Sequence, residues 1–281
     1  VMNKAPALTV TRGDLSMIRF LRLRRQLLLV AVLLVAPLGS VLADEINVIT
    51  SGAFSAAFKQ LVPIYEQKTG HKVNMHFGAS MGTAPDSIPT RLGRGETFDV
   101  LILAGSALQG FIEKGVIENG TRVDLANSTI GAVVRKGAPK PDISTVEALK
   151  KILLASKSIA YSASASGTYL STEVFPKLGL AEQLKDTAKK IYSERVATVV
   201  ARGDAELGFQ QLSELFSIEG VDFIGELPPE VQQTIPFSAG ITKQTQKQQL
   251  ARELIAFFAS QEAAPVIQKT GMHPLMQKMP W

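Results

Sequence analysis

No cysteine occurs in the 281 residues, which excludes disulfides and a cysteine-borne lipid anchor. Histidine is scarce: His71, His76 and His273 are the only three, and none pairs at helical spacing with another ligand, so no metal site is expected. Neither G-x-x-x-x-G-K nor G-x-G-x-x-G follows a strand-like run, and a nucleotide is therefore not supported. Long apolar runs are missing as well. The stretch 27–36 is too short for a membrane span of about 20 residues. Surplus charge is confined to the front of the chain, where residues 1–43 hold six basic residues against one acid, Asp14. Residues 44–281 keep 24 Lys and Arg and 24 Asp and Glu. Without a basic patch, nucleic acid is not an expected partner.

That basic front end has the three parts of a secretory signal: a basic stretch (19–25), an apolar stretch (27–36), and Val41-Leu42-Ala43 with compact residues at −3 and −1. Cleavage is expected after Ala43. Met17 stands just before the basic stretch, so residues 1–16 read as an over-called start. The cleaved chain is expected in the bacterial periplasm, outside the membrane, and is long enough to bury a core without disulfides.

Strand-length apolar runs alternate with helix-period segments, which predicts an α/β protein with mainly parallel strands. Strands are expected over 46–50, 73–77, 99–103, 129–135, 159–162, 190–192, 206–210, 221–224 and 234–241, with helices over 56–66, 146–154, 197–201 and 246–260. The late strand and helix return to the first set, which suggests two lobes around a cleft. Lobe 1 is expected to comprise 44–127 with 236–281, and lobe 2 to comprise 128–235.

Three of the strand-like runs stop at clusters of Ser, Gly and Thr: Ser51-Gly52-Ala53-Phe54-Ser55, Gly78-Ala79-Ser80-Met81-Gly82-Thr83, and Ala163-Ser164-Ala165-Ser166-Gly167-Thr168-Tyr169. A strand-to-helix junction aims free backbone N–H groups and a helix dipole at one spot, and hydroxyls add neutral donors. Three such junctions facing one cleft make an anion site without lysine. Helix capping alone accounts for one hydroxyl per helix. Ser164, Ser166 and Thr168 together exceed that, as do Ser51 and Ser55. Gly52, Gly82 and Gly167 leave room for close approach of the backbone.

Arg91 and Arg195 offer guanidinium groups able to clamp a carboxylate with two hydrogen bonds; Arg94 reads as a solvated charge. Gln210 and Gln211 end a strand and supply amides. Gly78-Ala79-Ser80-Met81-Gly82 matches the letters of a hydrolase nucleophile elbow, yet His273 is the one late histidine available to it. His76 is expected to face outward from its strand.

The ordered set of the signal, the first serine turn, Glu66-Gln67-Lys68-Thr69-Gly70, Gly78-Ala79-Ser80, Asp99-Val100-Leu101-Ile102, Gly167-Thr168-Tyr169 and 201–208 resembles the periplasmic molybdate-binding protein family over essentially all of residues 44–281. The resemblance implies a two-lobed periplasmic solute-binding fold that closes on an oxyanion and delivers it to an ABC permease, without a cofactor. Its ligand serines fall near Ser51 and Ser55 and on Ser80, its backbone donors near Ser166-Gly167 and over 193–196, and its ligand tyrosine on Gln211. The full expected site is Ser51, Gly52, Ser55, Ser80, Met81, Arg91, Ser166, Gly167, Thr168, Val196 and Gln211. The altered first turn, the insertion over 81–91 and the change at 211 point to a polycarboxylate in place of molybdate. Ser80-Met81-Gly82-Thr83 and 209–214 also resemble a subgroup that includes aconitate isomerase. Delivery of a polycarboxylate is thus the first expectation and isomerisation of aconitate the alternative. For the isomerase, Glu173, Glu194, Glu214 and His76 are conceivable bases, each also readable as an ordinary surface residue.

Overall fold

A computed structural model describes residues Ala43–Trp281; the expected signal segment lies outside the described residues except for Ala43. In chain order the first elements are β1 (Glu45–Ser51), α1 (Gly52–Thr69), β2 (Lys72–Gly78), α2 (Ile88–Gly93), β3 (Val100–Ala104), α3 (Gly105–Glu113) and β4 (Val123–Ser128). There follow β5 (Ile130–Arg135), α4 (Val146–Ala155), β6 (Ile159–Ser162), α5 (Ala165–Tyr169), a π-helical turn (Leu170–Val174), α6 (Phe175–Lys177) and β7 (Ala188–Ile191). Next come α7 (Val196–Arg202), β8 (Leu207–Gln211), the single turn α8 (Leu212–Leu215) and β9 (Val221–Glu226). The chain closes with β10 (Ile235–Ile241), α9 (Gln248–Phe258), α10 (Ala264–Lys269) and β11 (His273–Pro274).

Two mixed sheets result, one per lobe. The first is ordered β11-β4-β10-β3-β1-β2 and the second β7-β6-β8-β5-β9. The expectation of mainly parallel strands is corrected here. β1 is parallel to β2 and β3, and β6 to β7 and β8, but β10 is antiparallel to β3 and β4, and β5 to β8 and β9. Parallel neighbours arise from helical crossovers within one sheet. The strands that carry the chain directly from one sheet to the other, β4 into β5 and β9 into β10, have no such crossover to impose a direction. The two passages are tied together: the Ile130 N–H donates to Gln232 Oε1 at 3.0 Å, and Gln232 Nε2 donates to the Ile130 carbonyl at 2.9 Å.

Apolar periodicity explains the layers. On α1, Phe54, Phe58, Leu61 and Tyr65 recur at helical spacing and are buried, and Phe258 of α9 meets Phe54 and Phe58 edge-on at 6.1 and 5.7 Å. Gly70 ends this helix with φ 76°, donating its N–H to the Glu66 carbonyl. The opposite face of the sheet packs Ile49, Leu101 and Leu103 against Leu108 and Phe111 of α3. In the second sheet Val133 and Ala160 meet Val196, Ala197 and Val200 of α7. Burial of each large apolar side chain contributes roughly 1.5–3 kcal/mol. These layers hold rigid the carboxyl ends of β1–β3 and of β6–β8, where an α/β protein places its binding loops.

Candidate functional site

The two sets of strand ends meet through direct hydrogen bonds. Ser213 Oγ donates to the Ala53 carbonyl at 2.8 Å, the Ser80 N–H donates to Ser164 Oγ at 3.2 Å, and Arg195 Nη2 donates to Ser55 Oγ at 2.7 Å. Ser55 passes its own proton to the Gly52 carbonyl at 2.7 Å, so its oxygen is oriented to accept from the guanidinium. Arg195 Nη1 also donates to Ser217 Oγ.

A cavity of about 360 Å³ lies at this junction. One wall is Gly52, Ser55, Lys59, Phe77, Gly78 and Asp86; the other includes Ser162, Ser164, Tyr192, Glu194, Arg195, Gln210 and Glu214. Ser55, Ser162, Ser164, Tyr192 and Ser193 bring hydroxyls, the acids are Asp86, Glu194 and Glu214, and the cations are Lys59, whose Nζ sits 4.9 Å from the Phe77 ring centroid, and Arg195. Such a wall suits a small organic anion, because charge-assisted bonds from Arg195 and Lys59 are stronger than neutral ones and the hydroxyls can turn to fit.

Glu214 is the unexpected member. It sits on α8, directly after β8, and only 8% of it is exposed. Burial pushes its carboxyl up to about 7, while Arg195 pulls the other way. Gln210, four residues earlier, donates from Nε2 to Glu214 Oε2 at 2.6 Å, and Gln210 Oε1 accepts from the Val196 N–H at 2.9 Å. That N–H begins α7, so its donation fixes which end of the amide faces Glu214. Gly52 opens α1 on the opposite wall, and a Cβ there would lie 2.2 Å from Glu214 Oε2. The carboxyl thus fills the space that a side chain at residue 52 would occupy.

The expected site residues are distributed around this core. Gly52 and Ser55 line the cavity. Ser51 and Gln211 are buried and do not line it, and Ser51 Oγ and both polar atoms of the Gln211 side chain have no hydrogen-bond partner. Such groups cost roughly 1–3 kcal/mol each when left unpaired, which makes these two residues the expected contacts with the greatest unmet demand. Ser80 Oγ accepts from the Ala104 N–H at 3.0 Å, and Ser166 Oγ bonds Ser162 Oγ at 3.0 Å. Val196 spends its N–H on Gln210. Met81 and Thr168 border a second cavity of about 330 Å³, beside Tyr169, Glu173 and Thr234. At Gly167 an added Cβ would stand 1.6 Å from the Ser162 carbonyl oxygen, so this glycine serves the packing of α5 on β6.

Arg91 is held elsewhere, donating from Nε and Nη2 to Glu96 Oε2 at 2.8 and 2.6 Å and from Nη1 to the Phe77 carbonyl at 3.0 Å. It is not among the residues lining the cavity. His76 leans on Phe98, with ring centroids 5.1 Å apart; burial and the neighbouring Arg91 hold its pKa below the ordinary value. The letters of the nucleophile elbow do not become one: β2 runs into a turn, and α2 starts later, capped by Ser87. Ser80 Oγ lies 3.0 Å from the Ala104 N–H at the end of β3, while His273 lies on β11, three strands away in the same sheet, roughly 14 Å at about 4.8 Å per strand.

Lys59 and Tyr192 carried no sequence signal. Arg195, Gln210 and Glu214 were visible as chemistry-bearing residues but lay outside the expected set. The signal that could have joined the last two is their spacing, four residues apart across a strand end and the helical turn that follows it.

Comparison with known proteins places these features in a family. The profile of the bacterial extracellular solute-binding proteins matches residues 46–273. An aconitate isomerase from Pseudomonas sp. is 41% identical over 230 residues, covering 82% of this chain and 88% of that protein. The molybdate-binding protein ModA of Azotobacter vinelandii is 29% identical over 237 residues, 82% of this chain and 90% of that one. Among solved structures, the A. vinelandii periplasmic molybdate-binding protein superposes with a TM-score of 0.65 at 22% identity, covering 83% of this chain and 100% of the other. L-phospholactate-bound PEB3 of Campylobacter jejuni superposes with a TM-score of 0.62 at 17% identity, over 81% and 99%. With a family match spanning most of its length and a two-lobed fold to go with it, the chain belongs to the bacterial extracellular solute-binding protein family, in its molybdate-binding-like branch.

Proposed function

We propose that the protein is an isomerase that shifts the double bond of a small unsaturated polycarboxylate, with aconitate as the substrate. The observation that carries this reading is Glu214, a buried carboxyl in an anion-receptive cavity, with a pKa raised to about 7. A carrier that only holds an anion gains nothing from a buried carboxyl that titrates near neutral pH beside its ligand. A proton-transfer enzyme needs a group that is part ionised at neutral pH, and a pKa near the working pH is the favourable choice for a general base that must also return its proton. The 41% identity to an aconitate isomerase supports the same choice.

In this mechanism Arg195 and Lys59 hold substrate carboxylates. Ionised Glu214 takes a proton from the methylene carbon of trans-aconitate, and the C–H electrons spread over the allylic system and its flanking carboxylates. Nearby cations and hydroxyls stabilise the developing charge. Glu214 then returns a proton to the former vinylic carbon, and the double bond has moved. One proton leaves and one arrives, so no oxidant, reductant or cofactor enters. Ser51, Gly52, Ser55, Ser80, Ser166, Gly167, Val196 and Gln211 are proposed as ligand contacts or their supports; Arg91, held by Glu96, and Met81 and Thr168, on the second cavity, are not.

Delivery to an ABC permease, the first expectation from the sequence, now ranks second and rests on family membership. Proton NMR of the protein from Ala43 onward with trans-aconitate separates the two. Accumulation of cis-aconitate beyond one equivalent is the expected result. One bound equivalent without conversion would overturn the isomerase reading and leave a binding protein.

A further inference from the structure

We infer that Gln210 and Gly52 are the positioning residues that set the direction and acidity of Glu214 from opposite sides of the cleft. The inference rests on the isomerase reading for its functional meaning, but its geometry stands independently. Gln210 is buried, and each end of its amide has one partner: Oε1 takes the Val196 N–H and Nε2 gives to Glu214 Oε2. Reversing the amide would set an N–H against an N–H and an oxygen against a carboxyl oxygen. The donor therefore always faces Glu214, where it favours the ionised form. From the other lobe, Gly52 offers the only side-chain size that leaves the carboxyl where it is, since a Cβ would fall 2.2 Å from Oε2 and 2.6 Å from Cδ. The groups facing Glu214 are the Arg195 guanidinium, the Gln210 amide and the first turn of α1, whose free N–H groups also favour negative charge. Lys59, Asp86 and Glu194 share the same cavity.

Glu214 approaches only if one lobe supplies a glycine and the other supplies a strand-end amide held by its own helix. A side chain at residue 52 would exclude the carboxyl and leave an anion cleft without a base. This pair of positions would therefore distinguish an isomerase from a carrier built on the same two sheets.

The two positions should act with opposite sign, which a merely structural role would not produce. The test is titration of Glu214 by ¹³C NMR in protein labelled at glutamate Cδ, with Glu214→Gln identifying its signal. In Gln210→Met the charge-stabilising donor is gone while burial remains, so the midpoint is expected to rise above that of the unmodified protein. In Gly52→Ala the carboxyl is pushed from its buried seat, and the midpoint is expected to fall toward the ordinary glutamate value. With trans-aconitate, both variants should lose about tenfold or more in kcat, as misplaced catalytic groups do, with KM moving far less. Midpoints that both fall, or that do not move, would overturn the inference, since general loosening exposes Glu214 in either variant. If the unmodified protein does not convert aconitate, the isomerase reading fails while the titration still decides the positioning.

Discussion

Two of the three carboxylates that line the cavity, Glu194 and Glu214, lie in opposite electrostatic worlds. Glu194 stands at the rim with 43% of its side chain exposed, and Arg202 grips it through Nη1 and Nη2 at 3.0 and 3.1 Å, holding its pKa below the ordinary value. Glu214 lies at the floor, and burial outweighs the pull of Arg195 and raises its pKa to about 7. At neutral pH the rim group is therefore a fixed charge and the floor group a titrating one. Environment decides the role, because both are the same side chain on the same lobe. A lone pair of acids in the sequence cannot reveal this division; the neighbours that cause it come from α7, β8 and the opposite lobe.

Substitutions can break that contrast in graded steps. Glu214→Gln should have the greatest effect, lowering kcat for trans-aconitate by about 10²–10⁴-fold, the usual contribution of a general base; NMR turnover assays check it, and calorimetry should still find the anion bound. Next comes the pH dependence of folding stability. Because the folded pKa of Glu214 lies above the ordinary 4.5, its protonated form stabilises the folded chain fully below that value, and the benefit is lost as pH rises through about 7. The difference is on the order of 3 kcal/mol at about 1.4 kcal/mol per unit, and urea melts at pH 5 and pH 8 should show it in the unmodified protein and not in Glu214→Gln. Arg195→Ala removes a charged donor from the anion and the inter-lobe bond to Ser55, for an expected loss of about 1.5–3 kcal/mol in ligand affinity by calorimetry. Ser80→Ala strands the Ala104 N–H and should lower stability by about 1–3 kcal/mol in denaturant melts. Smallest is Glu194→Gln at the rim, with an expected change in kcat within about threefold and in stability within about 0.5 kcal/mol.

Much of the scaffold was legible because its core strands are short apolar runs. The five residues of β3 are all buried, and the alternation of such runs with helix-period segments identifies the α/β class. No strand was expected over β4, whose Asp124, Asn127 and Ser128 interrupt an apolar pattern; it is held by β10 and β11 from the far end of the chain. Strand direction was also hidden, since it depends on where the chain crosses between sheets. At the site, the serine-rich turns were visible as potential donors, yet two of them mainly bond protein: Ser80 holds the Ala104 N–H and Ser166 meets Ser162. Hydroxyls have no charge to betray whether they serve a ligand or a backbone. Glu214 looked like an ordinary surface acid because nothing local buries it; its cover comes from α1, some 160 residues earlier in the chain.

The most direct test of a titrating carboxyl as the catalytic base is the pH dependence of kcat/KM for trans-aconitate in the unmodified protein. The rate should rise with pH through about 7, as Glu214 loses its proton, and then level off. A rate already constant from pH 5 to pH 8, or one that falls across that range, would contradict it.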